Sequence, residues 1–207
     1  MPIFEKNGIK ILLIHIPKTG GTSLEHWLKN ETTMSFFSPI PPGGLMICPQ
    51  HLQVGALKVL LGGALWHWAC AVVRNPYDRI ESEYFWRTDE QFKNLGVRPD
   101  FSSWVINNIR AAKQNPYHLN NHLRPQTDFI DTDVKIYKFE EGLAPVVHDL
   151  AERLAIDIPV DFDKVKINAS NRQEVSWTLE ALNIFNSHFR NDFKQLKYEN
   201  KILTLEI

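Results

Sequence analysis

Apolar residues along this chain gather into short continuous runs separated by stretches of helical period, and that alternation sets the expected elements. Residues 9–16, IKILLIHI, are almost continuously apolar and rich in β-branched side chains, which predicts a central parallel strand covered on both faces. From Thr22 onward Leu24, Trp27 and Leu28 recur at helical spacing behind a hydroxyl residue at the N-cap position, so a helix follows the strand after a tight loop. Residues 35–50 hold four prolines and two glycines and predict an irregular excursion ending at His51. A helix is expected over 52–61 and a second buried strand over 66–73, WHWACAVV. Another helix should begin within RNPYDRIESEYFW, whose proline falls in the first turn.

Farther on, residues 99–122 predict helical segments broken at Pro116, and DVKIYKFE at 133–140 alternates like a third strand. EGLAPVVHDLAERLA, 141–155, predicts a helix despite Pro145. The stretch 176–198 is amphipathic, with Trp177, Phe185, Phe189 and Phe193 at the spacing of a core-facing stripe. There is no internal repeat. Strands alternating with helices predict one α/β domain over residues 1–207, with three layers around a mostly parallel sheet flanked by helices, P-loop-like in order.

Composition narrows the function classes. At 207 residues and 43% hydrophobic the chain suffices for one domain with a sizeable core. Twenty-three basic residues against 24 acidic ones leave no global field to draw it onto nucleic acid or an anionic membrane, so any anion site must be local. The first sixteen residues lack the pattern of a secretory signal, and their apolar run is too short to span a bilayer. Cys48 and Cys70 are spaced as buried thiols rather than as metal ligands or a disulfide framework. A reduced, cytoplasmic setting is the expectation.

The local anion site is most legible in IHIPKTGGTS, residues 14–23. A loop after the first strand of such a sheet lies at the strand's carboxyl end, where open α/β sheets bind ligands. Gly20 and Gly21 allow close backbone approach, and the helix behind them aims free N–H groups and a positive dipole end at an anion. Thr19, Thr22 and Ser23 add hydroxyls, and Lys18 adds a mobile cation able to follow charge developing on a bridging oxygen. The lysine precedes the glycines and no GK[ST] follows, which weakens a kinase-type P-loop. A second constellation stands at the end of the strand 66–73: Arg74, with Ser82 eight residues later, suits a phosphate clamp made of a forked guanidinium and a hydroxyl. The alternative for RNPYDR is a capped helix start with Arg79 in a surface ion pair.

HIPKTGGTSL followed by VRNPYDRIES resembles the sulfotransferases that use 3′-phosphoadenosine 5′-phosphosulfate (PAPS), and within them the short bacterial and Golgi carbohydrate branch that shares PKTGGTS and a later PQH. The resemblance covers residues 9–140 clearly and the rest weakly. It implies that Lys18 contacts the bridging oxygen of the phosphosulfate, that Thr19, Gly20, Gly21, Thr22 and Ser23 hold the 5′ group, and that Arg74 and Ser82 bind the 3′-phosphate. It also implies 3′-phosphoadenosine 5′-phosphate (PAP) as product and a hydroxyl, on a carbohydrate or small metabolite, as acceptor.

Sulfuryl transfer needs a proton acceptor opposite the leaving phosphate. His51, in CPQHLQ, is the candidate, since similar proteins place the base in this context; Glu25 and Glu81 are alternatives that otherwise belong on solvated helix faces. His15 is expected to be structural, bonded to backbone. His118 and His122 are four apart but lack a third ligand, and no metal is expected. Arg124 and Gln126 fit either acceptor binding or loop anchoring, and Arg172, in NASNR at 168–172, is available to a donor phosphate by the resemblance alone. Phe36, Phe37, Phe85 and Trp86 suit an acceptor cleft or a subunit contact. Two other classes stay open: a nucleotide kinase or other phosphotransferase, and a non-catalytic nucleotide-binding protein.

Overall fold

The computed structural model describes residues 1–160, 162 and 174–202. Its centre is a five-stranded open sheet with the order β3-β1-β2-β4-β5, formed by β1 (Ile3–Lys6), β2 (Ile9–Ile14), β3 (Thr33–Ser35), β4 (Trp68–Val73) and β5 (Lys135–Lys138). The three expected strands are the parallel half, β2 beside β4 and β4 beside β5. The sheet as a whole is mixed rather than mostly parallel, because β1 pairs antiparallel with both β2 and β3. The cause is a hairpin: Asn7 and Gly8, at φ 52° and 79°, make the two-residue turn that joins β1 to β2.

Period-2 alternation in the strands decides which helices cover which face. Ile11, Leu13, Cys70 and Val72 point to one face, where they pack with Leu24, Trp27 and Leu28 of α1 (Gly21–Glu31) and with Val146, Val147, Leu150 and Leu154 of α5 (Ala144–Leu154). Leu12, Ile14, Ala69, Ala71 and Val73 point to the other, against Val54 and Leu57 of α2 (Val54–Leu61), Phe129 and Leu196. Each fully buried aliphatic or aromatic side chain contributes roughly 1.5–3 kcal/mol, so neither face can be uncovered without unfolding. Cys70 is buried between strands as expected, and Cys48 is also buried and free.

A third core is made of helices alone. Tyr77, Ile80, Tyr84 and Phe85 of α3 (Pro76–Leu95) meet Phe101, Val105 and Ile109 of α4 (Phe101–Gln114), and Leu182, Phe185, Phe189 and Phe193 of the pair α6 (Leu179–His188) and α7 (Arg190–Leu196). The expected aromatic stripe at 185, 189 and 193 is therefore core. Asn75 caps α3 by accepting from the Tyr77 N–H at 3.0 Å, with Pro76 in the first turn and Gly96 closing the helix at φ 71°. Pro145 is tolerated because it too stands in a first turn. No helix among the described residues is long and apolar enough to cross a membrane.

Candidate functional site

The carboxyl ends of β2 and β4 lie side by side, and the loop holding Lys18 and the residue Arg74 leave directly from them. Leaving β2, the chain turns tightly: the Ile16 N–H bonds back to the Ile14 carbonyl at 3.1 Å, the Thr19 hydroxyl donates to the Ile16 carbonyl at 2.8 Å, and Lys18 adopts φ 70°. A lysine in the left-handed region costs on the order of 1–2 kcal/mol, which the surrounding bonds sustain. Gly20, not a hydroxyl residue, is the N-cap of α1, at φ 89° and with no capping side chain. The first-turn N–H groups of α1 therefore face the loop without a side-chain lid, the arrangement that attracts anions.

The two glycines have packing reasons as well. A Cβ on Gly20 would stand 3.1 Å from the Phe139 ring, and one on Gly21 would stand 2.9 Å from Nδ1 of His15. The Lys18 ammonium lies 4.9 Å from the ring centre of Trp86, a half-exposed residue of α3. Of the loop hydroxyls, Thr19 and Ser23 are buried and Thr22 is exposed.

Arg74 leaves the end of β4 and reaches across to this loop. Its Nη1 donates to the Lys18 carbonyl at 3.1 Å, its guanidinium sits 4.4 Å over the Phe139 ring, and its Nε is buried with no hydrogen-bond partner among the described residues. Only 8% of Arg74 is exposed, so that orphan donor is costly unless a ligand meets it. Ser82, seven residues into α3, is buried too, but no hydrogen bond joins its hydroxyl to Arg74 among the described residues.

Beside the loop stand three histidines in a row. The ring of His51, in a short turn at Pro49–His51, lies 5.2 Å from that of His15 and 4.9 Å, edge to face, from that of His122. His51 is 6% exposed, and its Nδ1 is buried without a partner in hydrogen-bond geometry among the described residues. Burial, then the neighbouring His15 and His122, then the buried Met1 ammonium, hold its pKa far below the ordinary value. It is a neutral ring. The Met1 ammonium itself donates to the Pro49 carbonyl beneath the same turn.

The two outer rings each rest on a carboxylate. His15 Nδ1 lies 2.5 Å from Glu25 Oε1, which replaces both the expected backbone bond of His15 and the expected solvated position of Glu25: that residue is buried in α1. His122 Nδ1 lies 2.7 Å from Glu83 Oε2, while Glu83 Oε1 accepts from Arg87 at 2.8 and 3.1 Å. Burial alone would raise the Glu83 carboxyl, but His122 and the Arg87 guanidinium hold it below its ordinary range. Trp86 stacks on His122 at 5.5 Å and 16°. Glu81 is half-buried, and burial raises its pKa. His118 bonds Asn108 at 2.9 Å and shares no ligand with His122; no group of histidine, cysteine or acidic side chains among the described residues is placed to hold a metal.

The remaining candidates anchor loops. Arg124 bonds Asn121, Asp128 and the Pro116 carbonyl, all within its own segment. Gln126 is fully buried, with Oε1 accepting from the Arg74 N–H at 2.9 Å and Nε2 donating to the Arg74 carbonyl at 2.8 Å. It grips the backbone of Arg74. Arg79 is likewise not in a surface pair: buried, it donates to the carbonyls of Pro17, Arg124 and His122 and so ties the lysine loop to the histidine row. Arg172 and the NASNR segment lie outside the described residues. Sequence reasoning missed Glu83 and Asp192, because a lone acidic residue on a helix carries no mark of burial. Asp192 is wholly buried and accepts from the Gln126 and Thr127 N–H groups at 2.9 and 3.0 Å. An open groove lined by Glu5–Gly8 and Glu31–Thr33 lies at the far end of α1 and holds none of these groups.

These features define an α/β protein whose parallel strand ends carry an uncapped helix N-terminus, a lysine, a buried arginine and a histidine row. No protein-family model, no curated protein and no solved structure matches the chain.

Proposed function

We propose that this protein transfers a sulfuryl group from PAPS to an acceptor hydroxyl, on a carbohydrate or a small metabolite. The observation that carries the reading is the junction of Arg74 with Lys18. One guanidinium spans the two anion-binding motifs, with a buried Nε still lacking an acceptor. A donor with phosphate at both ends of its nucleoside suits such a double site, the 5′ group on the N-terminus of α1 and the 3′-phosphate at Arg74, with Ser82 joining when the ligand brings the two together.

Lys18 supplies the charge that a leaving phosphate needs. As the bond from sulfur to the bridging oxygen breaks, negative charge grows on that oxygen, and a preorganised ammonium there lowers the barrier. The histidine row supplies the proton acceptor; burial keeps His51 and His122 neutral before the acceptor arrives.

Calorimetric titration with PAP and with ATP, followed by a screen for radiolabelled sulfur transfer from PAPS over sugar and phenol acceptors, tests the proposal. PAP binding far tighter than ATP binding, with label transferred to at least one acceptor, is expected. Magnesium-dependent binding of ATP in preference to PAP would replace this reading with phosphoryl transfer. Binding of PAP with no transfer to any acceptor would leave a nucleotide-binding protein without the chemistry.

A further inference from the structure

His51 is the ring that sequence points to as proton acceptor, yet it alone of the three lacks a carboxylate. A histidine that donates Nδ1–H to a carboxylate presents a fixed Nε2 lone pair, and the carboxylate stabilises the imidazolium once the proton arrives. His15 with Glu25 and His122 with Glu83 both meet this requirement. His51, almost fully buried between two other imidazoles, would gain a charge with nothing to balance it.

Position separates the two dyads. Nδ1 of His15 lies directly under Gly21, inside the turn that leads into α1, so its carboxylate pair serves to fill and fix that turn. His122 instead stacks on Trp86, the same indole against which the Lys18 ammonium rests, so one half-exposed ring links it to the lysine. The side chains of His15 and His122 each keep 10% of their surface open, so exposure does not separate them, but Glu83 behind His122 keeps only 1% against 8% for Glu25. Glu83 is held in turn by the fork of Arg87, so the carboxylate cannot rotate away.

Resting on the sulfuryl-transfer reading, we infer that the acceptor's proton goes to Nε2 of His122, with Glu83 as the carboxylate that orients the ring and His51 as the surface against which it is held. As the acceptor oxygen bonds to sulfur, its proton passes to Nε2. The bond from sulfur to the bridging oxygen breaks, and its electron pair stays on the 5′-phosphate, beside Lys18. The imidazolium is balanced by Glu83 and gives its proton to water once the products leave. The groups facing His122 are Glu83, Trp86 and Arg87 from α3, His51 from the turn before α2, and His15 from the end of β2.

Two measurements test this. In the unchanged protein, acylation by diethyl pyrocarbonate mapped by mass spectrometry should modify His122 before His51; modification of His51 first, with His122 silent, would overturn the assignment. In single-turnover transfer of radiolabel from PAPS to water or to the best acceptor found, His122→Gln and Glu83→Gln should each lose on the order of 100-fold or more in rate, with PAP affinity within about threefold of the parent. His51→Gln should lose less than either, and Glu83→Gln should also flatten the acid limb of the pH profile. The reverse ranking, with His51→Gln the slowest, would sink the inference. A protein that bound no PAP would defeat the sulfuryl-transfer reading instead, and the acylation map would still decide which ring is the exposed base.

Discussion

The Arg74 guanidinium is bonded through Nη1 to the main-chain carbonyl of Lys18, 56 residues earlier, so the end of β4 holds the loop that leaves β2. A lysine at this position keeps the charge and loses the fork, and with it the ability to hold that carbonyl and offer Nε to a ligand together. Arg74→Lys should weaken PAP binding by roughly 10- to 100-fold, the equivalent of one charge-assisted hydrogen bond. Titration calorimetry reads this directly, and an unchanged dissociation constant would remove Arg74 from the donor site.

Lys18→Ala isolates charge stabilisation from binding. Both residues bear the φ of 70° with similar strain, so the fold should be little affected. Loss of about 3 kcal/mol of transition-state stabilisation, some two orders of magnitude in turnover, is expected, with a smaller effect on PAP affinity. Rapid-quench transfer of label measures it; turnover equal to the parent's would exclude Lys18 from the chemistry.

Gly21→Ala sets two effects against each other. Gly21 is the first residue of α1, where alanine would be favoured by up to about 1 kcal/mol on propensity. The new Cβ, however, would meet His15 Nδ1 at 2.9 Å and push the ring off Glu25, breaking a buried hydrogen bond. Overpacking of this kind costs about 1–3 kcal/mol, so the variant should be less stable by urea unfolding. A more stable variant would show that His15 yields freely.

Much of this was legible in advance, and the unread part has a common cause. The parallel strands announced themselves because burial on both faces leaves continuous apolar runs, and the lysine loop because its residue types share one use. β1 and β3 did not, being four and three residues long, although the Asn7-Gly8 turn is a hairpin signal that could have been read. Arg79, Glu83 and Asp192 were unreadable for another reason. A buried charge is defined by what surrounds it, and their partners lie at 62, 39 and 65 residues' remove. Gln126 shows the same limit: the segment was recognised, but its grip on the Arg74 backbone exists only after folding.

That grip can be tested. Gln126→Leu preserves bulk and removes both amide groups, leaving the Arg74 N–H and carbonyl buried and unpaired and depriving Asp192 of its 3.4 Å contact with Nε2. Two unsatisfied backbone groups cost roughly 1–3 kcal/mol each. A stability loss of about 2–6 kcal/mol by denaturant titration, with PAP affinity reduced because Arg74 is less fixed, is expected. Native stability would mean that water replaces the amide at no cost.

The histidine row gives stability a defined dependence on pH. Burial lowers the pKa of both His51 and His122 in the folded protein, the latter against the pull of Glu83, while in the unfolded chain each titrates near 6.5. The unfolded state therefore binds more protons once the pH falls below about 6.5, so the contribution of these rings is whole above that value and is lost steadily below it. Each contributes at most about 1.4 kcal/mol per pH unit. Between about pH 7.5 and pH 5.5 the free energy of unfolding should fall by roughly 2 kcal/mol. Below about pH 4.5 Glu83, held below its ordinary range, adds its own loss as it protonates. Urea titrations across this range measure the slope, and in His122→Gln the slope between pH 6.5 and 5.5 should drop by about half. A stability that stayed flat from neutrality to pH 5.5 would mean that the rings take up protons in the folded state, and that the row is open to water rather than buried.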